Sequence, residues 1–140
     1  MPTRLVLFFL VVLASAAVQA VERPIGCFAV QISEKSGVEQ AKSLRLTDVS
    51  VSTPWGNGGA NKVVPARAGE RFQYAAAYWI VEGNDLILTF TNNGLSGIEF
   101  RVRSTEKGYK GVIQNFSDFG PGVDNARPVT LIRFDCAVPR

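Results

Sequence analysis

The chain of 140 residues contains no histidine, which removes the commonest general base and the commonest metal ligand together. Its two cysteines, Cys27 and Cys136, read as a disulfide for reasons given below, so thiol catalysis and soft-metal ligation are not expected either. Ser96 stands in Gly94-Leu95-Ser96-Gly97, but this is no nucleophile elbow, and no imidazole exists to take its proton. Glu82 and Asp85 form the nearest approach to a catalytic carboxylate pair; they flank Gly83-Asn84, where acidic residues ordinarily serve the turn. A hydrolase working with carboxylates alone needs two inward-facing groups about 5–10 Å apart, and no pattern here predicts them. Asp118, Asp124 and Asn125 share one loop without the spacing of a calcium site. Gly56-Asn57-Gly58-Gly59 lacks the strand, helix and Lys-Ser/Thr context of a phosphate loop. Asn115-Phe116-Ser117 is a formal glycosylation sequon. The residue types predict a non-enzyme without metal or cofactor.

Aromatic and apolar surface is the feature that remains. Phe72, Tyr74, Tyr78 and Trp79, with Phe90, Phe100, Tyr109, Phe116 and Phe134, make a rich aromatic set. In a small barrel some must point inward and fill it, while others line a cavity or mouth. The candidate ligand-binding residues are Tyr74, Tyr78 and Phe90, with Trp55 as a lid from a glycine-rich loop.

The elements that would position them are strands. Phe28, Val30 and Ile32 alternate with Cys27, Ala29 and Gln31; Leu86, Leu88 and Phe90 with Ile87, Thr89 and Thr91. Ile98, Phe100 and Val102 oppose Glu99, Arg101 and Arg103, the clearest half-solvated strand. Val129, Leu131 and Arg133 oppose Thr130, Ile132 and Phe134. Leu44-Arg45-Leu46 begins another run whose phase shifts before Val49-Ser50-Val51, predicting a bulge or bend near Asp48. Three turn signals, at 82–85, 91–94 and 105–108, join strand-like runs into an antiparallel meander from about 72 to 116. The stretch 72–81, FQYAAAYWIV, reads as a strand with Phe72, Tyr74, Ala76, Tyr78 and Ile80 on one face and Trp79 and Val81 on the other. Residues 34–43 are the sole helical candidate, and 52–69 and 118–128 read as irregular Gly/Pro-rich loops.

Residues 1–20, MPTRLVLFFLVVLASAAVQA, have the form of a signal peptide: Arg4, an apolar run over 5–13, and Val18-Gln19-Ala20 before the cleavage site. The expected mature domain is 21–140, secreted or periplasmic, with no stable membrane anchor after cleavage. Loss of Arg4 leaves 14 basic against 12 acidic residues, a net charge of +2. That is too small and too interspersed to argue for nucleic acid as a partner. In an oxidising compartment the even cysteine count predicts a Cys27–Cys136 disulfide. A loop of that length is worth about 4–5 kcal/mol in the chain-entropy model, and its closure makes the first and last strands neighbours.

The architecture expected is therefore all-β: an antiparallel up-and-down barrel of seven or eight strands closed by one disulfide, with a two-sheet sandwich as its rival. In outline the chain resembles the calycin superfamily of lipocalin- and avidin-type barrels. Gly26-Cys27-Phe28 opens the first strand where lipocalins carry Gly-x-Trp, and Arg133 stands in the last strand where they place a basic residue packed on that ring. Phe28 replaces the Trp, and the other lipocalin motifs are absent. Arg133 is expected on the outer face, or at the barrel end stacked on a ring such as Phe28.

The first functional expectation is an exported non-enzymatic binding protein whose barrel mouth or cavity holds a small apolar or amphipathic molecule. The alternative is a protein-interaction module, such as an inhibitor of an exported hydrolase with Trp55 as its anchor, or a domain with a structural role only.

Overall fold

In the computed structural model, residues 23–32, 42–54, 56, 58–118 and 126–136 are described. They form eight strands: β1 Gly26–Ile32, β2 Ser43–Val51, β3 Ala60–Val64, β4 Ala76–Glu82, β5 Asp85–Thr91, β6 Ser96–Thr105, β7 Gly108–Ser117 and β8 Arg127–Phe134. Each strand pairs antiparallel with its neighbours in sequence, and β1 pairs with β8 from Cys27↔Phe134 to Ile32↔Val129, so the sheet closes into a barrel. Closure removes both edges, which a sandwich would have left exposed. The disulfide Cys27–Cys136, with Cα atoms 5.4 Å apart, ties the first strand to the residues just past the last. This cross-link is compatible with an oxidising, exported location.

Period-2 alternation becomes the inside and outside of the barrel. Phe28, Leu44, Leu46, Leu88, Phe100, Val102 and Leu131 are wholly or almost wholly buried and point inward together. Outward positions carry Arg45, Lys62, Glu99, Arg101, Arg103 and Lys110, charges that a lipid-facing wall would not bear. The β4–β5 hairpin turns on Gly83-Asn84 between the paired Glu82 and Asp85. Gly83 has φ +61° and no described non-glycine residue has a positive φ, the signature of a type II′ turn, whose twist matches the strands it joins.

The bend expected near Asp48 is present: the β2–β3 register shifts between Leu46 and Ser50. A bulge frees backbone groups from the ladder, and here side chains take them up. The Trp79 Nε1–H donates to the Thr47 carbonyl at 2.8 Å, the Thr47 hydroxyl donates to the Lys62 carbonyl at 2.7 Å, and the Val49 N–H donates back to Thr47 Oγ1 at 3.3 Å.

Two expectations need correction. Residues 52–69 are not all loop, because β3 (Ala60–Val64) lies among them and pairs with β2 and β4. The stretch 72–81 is not one strand either, since β4 starts only at Ala76. Before it, the Ala75 N–H is held by Asn92 Oδ1 at 2.8 Å rather than by a ladder partner. Phe72 and Tyr74 thereby leave the outer face that Tyr78 occupies and pack against the core. The expected leader at 1–20, most of the helical candidate at 34–43, and residues 119–125 of the second loop lie outside the described residues; Ser43 opens β2.

Candidate ligand recess at one barrel end

Strand direction assigns the end features. One end gathers the start of β1, the finish of β8 and the β4–β5 and β6–β7 turns; the other gathers the β5–β6 turn and the entry to β4. At this second end Phe72 and Tyr74 close the barrel. Their rings meet Phe90 edge-on, with centroids 5.0 and 6.1 Å away, and Phe90 in turn lies 5.6 Å from Phe100. Burial holds the Tyr74 phenol above its ordinary pKa. The β5–β6 turn is tightened by Thr91, whose hydroxyl donates to the Ser96 carbonyl at 2.6 Å and accepts from the Gly94 N–H at 2.8 Å.

The first end is built differently. Arg133, opposite Phe28 in the β1–β8 register, lays its guanidinium 4.7 Å from the centre of the Phe28 ring and donates from Nη1 to the Ile25 carbonyl at 2.9 Å. Gly26 makes this approach feasible: its φ is +148°, and a Cβ there would collide with Arg133 Nη1. Residues 23–25 then run across the barrel end, with Ile25 packed on the core. Beside them lies an open recess of about 750 Å³ lined by Pro24, Val81, Asp85, Leu86, Arg103, Tyr109 and Arg133, among others. A second recess of about 450 Å³ shares Pro24 and Val81 and adds Arg23, Asp48, Asn61 and Trp79. Val81 lies across from the inward Leu86, yet it is 49% exposed where Leu86 is 3%. An inward apolar side chain left half uncovered marks the place where the barrel packing stops.

Charge is ordered around the rim. Asp85 accepts from Arg103 Nε at 2.6 Å and from Arg101 Nη1 at 3.2 Å, and Arg101 Nη2 also lies 3.6 Å from Glu99. The Arg103 and then the Arg101 hydrogen bond hold the Asp85 carboxyl below its usual range. Asp85 is thereby committed to two arginines. Among the described residues, no group of three or more His, Cys, Asp or Glu could hold a metal ion.

The structure separates the residues singled out from the sequence. Tyr74 and Phe90 meet at the end away from the recess, and Phe90 is 1% exposed. Tyr78 lies on the outer wall opposite Thr89. Its phenol is raised by burial, a shift that the Thr89 hydrogen bond opposes and the Glu99 charge reinforces. Trp55 lies outside the described residues. The recess instead brings together Val81, Leu86 and Tyr109 with Arg133. The signal for Val81 was present, since it follows Trp79 at the same strand phase and stands one residue, Glu82, before Gly83-Asn84.

Comparisons of the chain with family models, with curated proteins and with solved structures found no match. The closed eight-stranded barrel is compatible with a calycin-like architecture.

Proposed function

We propose that this chain is an exported, non-enzymatic binding protein that holds a small amphipathic molecule in the recess beside Pro24 and Val81. The observation that carries the reading is the contrast between a barrel filled by side chains along its middle and an end where the inward Val81 stays half exposed above the buried Leu86 and Tyr109. Small-molecule sites are concave and combine apolar surface with placed polar groups that orient the ligand; this recess sets Val81 among polar residues that include Asn84, Ser104, Glu106 and Arg133. The space of about 750 Å³ lies within the range of small-molecule sites. Calycin-like architecture is consistent with this role, though fold alone does not assign it.

The test is titration with a fluorescent apolar probe, comparing the parent protein with Val81→Asp. Binding that is saturable and lost in Val81→Asp supports the reading. Absence of saturable binding, or binding that Val81→Asp leaves intact, overturns it.

A further inference from the structure

We infer that the ligand of this recess is an anionic amphiphile whose head group pairs with Arg133 while its apolar part covers Val81. This rests on the recess reading above and adds the chemistry of the ligand. Four charged side chains line the larger recess: Asp85, Arg103, Glu106 and Arg133. Asp85 and Arg103 satisfy one another, and Asp85 takes a second arginine, Arg101. Glu106 is exposed in the β6–β7 turn and among the described residues no contact fixes its carboxylate, whereas the Arg133 guanidinium is held in place. Arg133 differs from all of these. Its guanidinium lies over the Phe28 ring and donates to the Ile25 carbonyl, neither of which neutralises it, and the residue is exposed.

Those two contacts fix the plane of the guanidinium but use only part of its donor set, which comprises five N–H groups in a rigid fork. A cation held in place in this way has lost its rotamer freedom before any ligand arrives, so pairing with an anion costs little further ordering. Carboxylate and phosphate are the groups that match such a fork. The half-exposed Val81 lines the same space, so the molecule that satisfies both features has a negative head and an apolar body.

The experiment measures binding of decanoate, decanol and decyltrimethylammonium to the full mature chain at neutral pH. Decanoate is expected to bind about two- to fivefold more tightly than decanol, the range given by one solvent-exposed ion pair, and the cation to bind most weakly. Salt is expected to weaken decanoate binding and to leave decanol unchanged. Arg133→Gln should bring decanoate to the level of decanol, and Arg133→Lys, which keeps the charge without the fork, should fall between them. Because Arg133→Gln removes the cap on Phe28, the three-probe series and its salt dependence in the unaltered protein decide the matter independently of that variant. Equal binding of decanoate and decanol overturns the head-group assignment and leaves the recess standing. Preference for the cation overturns it as well. Failure of all three probes overturns both readings.

Discussion

The Trp79 indole N–H donates to the Thr47 carbonyl at 2.8 Å, so a side chain of β4 closes the backbone gap that the bulge opens in β2. The same ring forms part of the wall of the smaller recess. Structure and candidate site therefore meet in one residue. Trp79→Phe keeps an aromatic ring but leaves the Thr47 carbonyl without its donor, which should cost about 1–3 kcal/mol. Urea denaturation followed by far-UV circular dichroism measures this; an unchanged midpoint would show that water replaces the bond.

Gly26→Ala puts a methyl group where Arg133 Nη1 lies and forces a non-glycine residue to φ +148°. Conformations of this kind cost about 1–3 kcal/mol outside glycine. Part of the loss should come from lifting Arg133 off Phe28, so the Gly26→Ala/Arg133→Ala double variant should be less destabilised than the two single effects added together. Strict additivity would mean that the contact is incidental.

The Asp85 carboxyl is held below its ordinary pKa by Arg103 and Arg101. A depressed folded-state pKa stabilises the fold above the unfolded value, near 3.9 for Asp, and the contribution is lost as pH falls through the folded value. Stability of the parent protein should therefore fall between about pH 5 and pH 2 by more than that of Asp85→Asn. Denaturation midpoints collected across that window give the comparison. Parallel curves for the two proteins would assign the acid sensitivity to other carboxylates.

Cys136→Ser removes a cross-link between residues 109 apart. The expected loss is about 2–5 kcal/mol, since such bonds chiefly restrict the unfolded chain. The barrel closure made by the β1–β8 ladder should persist, so the native circular dichroism spectrum should survive while the denaturation midpoint drops. Collapse of the spectrum would instead make the disulfide a condition for closure.

Much of the barrel was legible from residue pattern. Leu86, Leu88 and Phe90, or Ile98, Phe100 and Val102, announce a buried face because side chains on a strand alternate strictly between its two sides. The phase slip around Asp48 announced the bulge for the same reason. β3 escaped notice because its five residues are embedded between glycine-rich and proline-containing stretches, too short for alternation to stand out. Phe72 and Tyr74 were assigned to the wall that carries Tyr78. Alternation holds only while the backbone ladder holds, and Asn92 takes the Ala75 N–H out of it.

Local chemistry thus specified the strands, the hairpins and the Cys27–Cys136 link, since each depends on neighbours in sequence or on simple pairing of the two thiols. Closure decided what stands at the ends. Val81 and Phe90 both face inward, and nothing in their local sequence says which of them will be sealed. Phe90 is covered because Phe72 and Tyr74 fold over it, whereas Val81 stays half exposed beside the crossing segment at Pro24. Phe72 and Tyr74 reach Phe90 from the entry to the neighbouring strand β4, whereas Pro24, at the head of β1, comes beside Val81 only once β1 has met β8. The recess, and the Arg133 that lines it above Phe28, are consequences of that meeting.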